Sequence, residues 1–362
     1  MLDKAAYIIA EAGVNHNGST DMAIELIDVA VRAQCDAVKF QTFKAELLVS
    51  KTAPRAEYQK HNTQNSESQY QMLKRLELSE DQHRILIEYS KSKSIEFLST
   101  PFDRESLELL TGKFGISKIK IPSGEITNAP FLLEISKRAE KIILSTGMSN
   151  LSEIEAALSV IAFGFLFPND LSPSLSKFTN AYSSFEGRQA LKKRVVLLHA
   201  TTEYPAPFDE VNLSAMNTLK KSFSLPVGYS DHTEGIHIPI AAIAMGASVI
   251  EKHFTLDKNL PGPDHKASLE PDELIKMVRS IREIESAFGD GFKIPSKSEI
   301  KNMKIARKSL HASEDISNGD LFASHNLICK RPGNGISPIH YWEYIGKKSN
   351  RDYIRDDILD PL

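Results

Sequence analysis

The sequence predicts an α/β fold: a (β/α)8 barrel of the TIM type at residues 1–290, a linker at 291–303 and a small, turn-rich domain at 304–362. Three observations predict it. Short β-branched apolar runs alternate with amphipathic stretches, eight such runs occur before Gly289, and beyond Gly291 the alternation stops and the composition changes. The runs are Tyr7-Ile8-Ile9-Ala10, Ala37-Val38-Lys39-Phe40, Ile95-Glu96-Phe97-Leu98, Lys118-Ile119-Lys120-Ile121, Ile142-Ile143-Leu144, Val195-Val196-Leu197-Leu198, Pro226-Val227-Gly228-Tyr229 and Ser248-Val249-Ile250. Eight strands with eight helices in about 290 residues fit such a barrel, which typically takes about 250.

Between the strands the apolar residues recur at helical spacing. Residues 22–33 place Met22, Ile24, Leu26, Ile27, Val29 and Ala30 on an inward face, and 271–288 closes the series. The stretch 163–194, rich in Ser, Pro, Asn and Phe, breaks the rhythm between units five and six and reads as an insertion of loop and short helix. Gly291-Phe292-Lys293-Ile294-Pro295-Ser296-Lys297-Ser298 has the composition of a linker. In the tail, Gly319, Pro332, Gly333, Gly335 and Gly346 punctuate short apolar pieces, which predicts a compact β fold with little helix.

The bulk composition excludes several functions. Lys and Arg number 44 against 47 Asp and Glu, and no long run of either sign tracks a phosphate backbone or an anionic membrane, so neither nucleic acid nor membrane is an expected partner. Cys35 and Cys329 are far apart and give neither a disulfide framework nor a thiolate zinc site, which fits a reducing cytoplasm. The apolar run after Met1-Leu2-Asp3-Lys4 ends at Glu11, too short for a signal peptide's core, and no segment is long and apolar enough to span a bilayer.

Barrels of this kind carry their reactive groups just after the strands, and here those positions are polar throughout. Strand one runs into Glu11 and Asn15-His16-Asn17-Gly18; strand two carries Lys39 and Gln41; strand three ends in Ser99-Thr100-Pro101-Phe102-Asp103. Strand four gives Lys120, Ser123, Gly124 and Glu125, strand five Ser145-Thr146-Gly147-Met148, and strand six His199 and Thr201-Thr202-Glu203-Tyr204-Pro205. Ser230-Asp231-His232 and Glu251-Lys252-His253 complete the ring. Two ammonium groups and several hydroxyls at one mouth are the materials of a phosphate and carboxylate site. Against this stand a snorkelling role for either lysine and a helix-capping role for any single Ser or Thr. His232 and His253 follow adjacent strands, where two imidazoles can share one divalent cation and leave positions open for water and substrate. His199 and His237 take the structural reading, and His265 is left undecided. Glu11, Glu125 and Glu251 need cationic partners if buried, which the lysines or a metal would supply, or else they orient lysines or waters.

The motifs that carry this chemistry resemble, closely and in order, those of the bacterial sialic acid synthase family. They are Ile9-Ala10-Glu11-Ala12-Gly13-Val14-Asn15-His16-Asn17-Gly18, Val38-Lys39-Phe40-Gln41, Leu98-Ser99-Thr100-Pro101-Phe102-Asp103, Lys120-Ile121-Pro122-Ser123-Gly124-Glu125, Ser145-Thr146-Gly147-Met148, Gly228-Tyr229-Ser230-Asp231-His232-Thr233, Glu251-Lys252-His253-Phe254-Thr255, Gly262-Pro263-Asp264-His265 and Lys330-Arg331-Pro332-Gly333. The resemblance implies a synthase that joins phosphoenolpyruvate to an unphosphorylated N-acetylated mannosamine-type sugar with release of phosphate. It implies that Lys39, Thr100, Lys120, Ser123, Ser145, Thr202 and Ser230 hold phosphoenolpyruvate. Gln41, Tyr204, Glu251, Asp264 and Arg331 would hold the sugar, and His232 and His253 would hold Mn2+, with Mg2+ or Co2+ as alternatives. Glu11 or Glu125 would transfer protons, while Lys39 and Lys120 would neutralise the charge of the departing phosphate. The tail would be an antifreeze-like (SAF) domain that covers the barrel mouth of the other chain in a domain-swapped homodimer.

Two departures matter. Thr202 stands where sialate-making members carry Asn, and Thr201-Thr202-Glu203-Tyr204-Pro205-Ala206-Pro207-Phe208 with Asn259-Leu260-Pro261-Gly262-Pro263-Asp264-His265-Lys266 looks more like the legionaminic-acid-making branch, whose acceptor is 2,4-diacetamido-2,4,6-trideoxymannose. The insertion at 163–194 is the other. Two rival functions compete with this one: a phosphoenolpyruvate-condensing barrel acting on a phosphorylated sugar, and a non-catalytic carbohydrate-binding protein. The first needs a second cationic cluster, and the tips carry few arginines, Arg55 and Arg104 lying in loops. The second leaves two lysines, two histidines and three glutamates at one mouth unexplained.

Overall fold

The computed structural model describes residues 5–51, 53–54 and 68–362; Met1-Leu2-Asp3-Lys4 and Arg55 lie outside the described residues. Two compact units emerge, Met1–Phe288 and Gly289–Leu362. In the first, β1 (Tyr7–Gly13), β2 (Ala37–Thr42), β3 (Glu96–Pro101), β4 (Lys118–Ile121), β5 (Lys141–Ser145), β6 (Val195–Ala200), β7 (Val227–Asp231) and β8 (Val249–His253) form one sheet in the order β3-β2-β1-β8-β7-β6-β5-β4. Every hydrogen-bonded neighbour is parallel, and β3 and β4, the ends of that order, lie side by side so that the sheet curls into a barrel.

All eight expected strands are present, but most run two or three residues beyond their apolar runs. The ladder continues through the polar tips, for example Gln41 opposite Thr100 and Asp231 opposite Lys252. Strand alternation explains what those tips do. Ile9, Ala37, Leu98, Ile143, Leu198 and Val249 fill the barrel as a separate apolar plug. Two residues further along five of these strands stand Glu11, Lys39, Thr100, Ser145 and Glu251, which a period of two places on the same inward face, above the plug. The main core lies on the other side, between sheet and helices.

The helix Thr20–Arg32 is capped by Ser19, whose hydroxyl accepts from Met22 N at 3.3 Å, and buries Ala23, Leu26, Ile27, Val29 and Ala30; Met22 and Ile24, expected inward, are only half-buried. The final helix runs Pro271–Ala287. The segment 163–194 has the loop and short helix expected of it, with helix as the larger part: Leu151–Leu166 extends into it, and Leu175–Ser183 and Phe185–Arg194 follow as two short helices. Ser174 and Ser184 cap the latter two, and Phe163 packs edge-on against Phe178 at 5.2 Å. The Ser and Asn content that reads as loop includes the caps of short helices.

In the second unit, helix Lys297–Ala306, capped by Ser296, occupies much of the stretch expected to be a linker. β9 (Ser309–Ala312) pairs antiparallel with β10 (Leu327–Lys330), and Leu310, Ile316, Phe322, Leu327, Tyr344, Tyr353 and Leu359 form a small core of their own. Cys35 is buried and Cys329 half-buried, both as free thiols. Among the described residues no helix is long and apolar enough to cross a membrane.

Candidate active site

A cavity of about 300 Å3 opens at the C-terminal ends of the strands. It is lined by Glu11, Lys39, Gln41, Thr100, Lys120, Ser123, Ser145, Thr202, Tyr204, Ser230, His232, Glu251, His253 and Asp264, so fourteen of the sequence-selected residues meet in one place. Two do not line it. Glu125 lies on the turn Ser123–Glu125, where its Oε2 accepts from Asn128 Nδ2 at 2.7 Å. Arg331 belongs to the second unit, where its Nε donates to the Ala306 carbonyl at 2.9 Å.

The floor is a partial ring of charge, in which no bond joins Glu11 to Lys120 among the described residues. Lys39 Nζ sits 2.5 Å from Glu11 Oε2 and 3.5 Å from Glu251 Oε2, and donates to Thr100 Oγ1 at 3.2 Å. Lys120 Nζ lies 3.2 Å from Glu251 Oε1, which also accepts from Ser230 Oγ at 2.9 Å. Burial governs each titration. It pulls Lys39 down, but Glu11 and Glu251 more than offset this and hold the ammonium above its ordinary range; Lys120 falls below its own because burial prevails over Glu251. Burial raises Glu11 despite Lys39 beside it, whereas in Glu251 the two lysines outweigh burial and hold the carboxylate low. Two lysines against two glutamates balance, and protonating Glu11 leaves one net positive charge to meet an incoming anion.

The imidazoles stand beside this ring. His232 and His253 have ring centroids 5.6 Å apart, and the Tyr204 ring packs at 4.1 Å from the first and 5.6 Å from the second. His232 Nδ1 lies 2.6 Å from the Thr201 carbonyl, which only accepts, so the proton sits on Nδ1 and Nε2 keeps its lone pair. Burial pushes His232 down to about 4 and His253 well below the usual imidazole range, so both rings are neutral near pH 7. Buried His253 Nδ1 has no hydrogen-bond partner among the described residues. Among those residues no group of three or more His, Cys, Asp or Glu could hold a metal.

The other histidines serve the scaffold. His199 Nε2 donates to the Val211 carbonyl at 2.7 Å, His237 opens the helix His237–Ala244, and buried His265 pairs through Nδ1 with Thr255 Oγ1 at 2.6 Å. The sequence reading missed one wall of the cavity, made by Val14, Leu48, Val49, Met72, Leu73 and Phe102. Nothing in its apolar spacing separates it from ordinary core. A larger hollow of about 730 Å3, which includes Arg104, lies among surface helices; there Arg104 pairs with Glu134 and Arg138 with Glu108, so the charges satisfy one another.

The NeuB family model matches residues 26–293. The chain is 52% identical to the N,N'-diacetyllegionaminic acid synthase of Campylobacter jejuni, over 98% of this chain and 99% of that protein. It is 46% identical to the synthase of the same name from Legionella pneumophila, over 94% and 90%. The crystal structure of the N-acetylneuraminic acid (sialic acid) synthetase of Leptospira borgpetersenii superposes with a TM-score of 0.65 at 33% identity, covering 83% of this chain and 90% of that one. A matched family model over most of the barrel, and near full-length likeness to these synthases, place the chain in the NeuB family.

Proposed function

We propose that this chain condenses phosphoenolpyruvate with 2,4-diacetamido-2,4,6-trideoxymannose and water, giving N,N'-diacetyllegionaminic acid and phosphate, in the cytoplasm. The observation that carries it is the buried ring in which Lys39 and Lys120 share Glu251, beside the His232 and His253 imidazoles. The two ammonium groups, with the hydroxyls of Thr100, Ser123, Ser145, Thr202 and Ser230, hold the phosphate and carboxylate of phosphoenolpyruvate. Gln41, Tyr204, Asp264 and Glu251, which line the same cavity, hold the sugar. Carbon three of phosphoenolpyruvate bonds to the aldehyde carbon of the open-chain sugar, water adds at carbon two, and phosphate leaves.

The donor set fits a divalent ion such as Mn2+, or Mg2+ or Co2+: two neutral imidazoles, one with Nε2 free to ligate and one with an unpartnered buried nitrogen. Bound there, the ion would supply Lewis-acid polarisation of the aldehyde oxygen. Glu11 takes the role of proton carrier, because it lines the cavity and burial raises its carboxyl, whereas Glu125 is turned toward Asn128. Lys39 and Lys120 neutralise the departing phosphate. The cavity's lysines are both committed to this ring, which leaves none of the described cations lining it for a second phosphate on the sugar.

Phosphate release measured side by side with the diacetamido sugar and with N-acetylmannosamine tests the reading: kcat/KM is expected to favour the first by about tenfold or more, and an equal or reversed preference overturns the acceptor assignment. His232→Ala and His253→Ala should each abolish release while circular dichroism and unfolding stay near the parent; full activity in either sinks the metal assignment. We further propose a domain-swapped homodimer, supported by the likeness to the family, in which Arg331 of the partner subunit reaches the sugar. Mixing an Arg331→Ala chain with a Lys120→Met chain should then restore activity in hybrid dimers, and no recovery would end the swap.

Asp264 gives a pH test. Burial pushes its carboxyl from 3.8 up to about 6, so the folded chain binds a proton more tightly there than the unfolded one. The ionised form therefore costs stability, a penalty absent at low pH that builds as the pH rises from 3.8 to about 6 and stays above it. Asp264→Asn should raise the unfolding midpoint at pH 8, with the gain shrinking toward pH 4, while the KM for sugar rises and that for phosphoenolpyruvate holds. A pH-independent gain contradicts the titration.

A further inference from the structure

A second pair of opposite charges lies on the other face of the barrel wall. The Asp231 and Lys252 side chains are wholly buried, neither lines the cavity, and Lys252 Nζ is 2.6 Å from Asp231 Oδ2. They face each other in the last ladder pair that joins β7 to β8. Along the two strands this pair follows Ser230 and Glu251 and precedes His232 and His253. Ser230 and Glu251 point inward and are bonded at 2.9 Å, Asp231 and Lys252 point outward, and His232 and His253 point inward again.

The pair also shapes the chain around His232. Asp231 Oδ1 accepts from Thr233 N at 3.0 Å and from Thr233 Oγ1 at 2.9 Å, so residues 231–233 fold into a turn with His232 at its centre. Lys252 Nζ donates to the Thr233 carbonyl as well, which fastens that turn to the residue just before His253. β7 ends at Asp231, so His232 lies past the ladder; its other ties, the Ala206 N–H to its carbonyl at 2.9 Å and its own Nδ1 to Thr201, come from the segment after β6. Beyond the end of the ladder, the ion pair and the Lys252 bond to Thr233 add side-chain ties from the His232 turn to the strand carrying His253. Stability alone does not account for the pair, because a buried ion pair is often matched or bettered by apolar residues of similar volume.

We propose that Asp231 and Lys252 are positioning residues that set the separation and orientation of the His232 and His253 imidazoles for one divalent ion. The inference rests on the metal reading above. Its test is Mn2+ titration of chelator-stripped full-length chain in the presence of phosphoenolpyruvate, with free Mn2+ read from its electron paramagnetic resonance signal. The variants are Asp231→Asn, which keeps an oxygen for Thr233 but removes the charge, Lys252→Met, and the double variant Asp231→Leu with Lys252→Met. All three are expected to bind Mn2+ about ten- to a hundredfold more weakly, as loss of groups that orient metal ligands does. The double variant should unfold in chelator within a few degrees of the parent, since no charge is left buried alone. Any folded variant that binds Mn2+ within about twofold of the parent would make the pair a structural tie and overturn the proposal, as would failure of all three to fold. A parent chain that takes up no Mn2+ would instead sink the metal reading itself, and this inference with it.

Discussion

Two ammonium groups and two carboxylates share the floor of the barrel mouth, and none of the four residues is more than 7% exposed. Removing any one would strand its neighbours, because a buried charge that loses its partner costs several kcal/mol. The constraint is mutual. Glu251 lies within 3.5 Å of both lysines and accepts from Ser230, so β2, β4, β7 and β8 are tied to one carboxylate. Only a closed barrel brings these strands to a common point.

The same ring balances its own charge. Glu11 and Glu251 offset the two ammonium groups, and the rise in the Glu11 carboxyl lets one negative charge be surrendered to a proton. Beside it, the imidazoles are kept neutral by burial, which suits ligation better than ion pairing. The groups proposed for acid-base work and those proposed for cation binding thus sit side by side without overlap.

The wall formed by β7 and β8 carries cavity-lining residues on one face and a buried ion pair on the other. The inward residues are the hydroxyl, carboxylate and imidazoles; the outward residues between them are a fully buried ion pair. Period-two alternation makes this arrangement compact, since every residue of a short strand is used by one side or the other.

Much of this was legible in the chain. Eight β-branched runs gave the barrel, and polar residues directly after them gave the cavity, because an inward position above an apolar plug has nowhere else to point. The Glu-Lys-His and Ser-Asp-His triplets, two charged and ionisable neighbours on matched strands, were the available signal for the outer pair, but no single-strand pattern says that Asp231 and Lys252 meet. Short helix within 163–194 was expected, but not its extent, because the Ser caps look like loop residues. The sequence by itself determined which residue types stand at the strand tips and on which face, since alternation is a local property of the backbone. Only the tertiary structure decided that Glu11 rather than Glu125 faces the cavity, that one glutamate serves both lysines, and that an apolar cluster joins the lining, because these depend on distances across the barrel that no local spacing encodes.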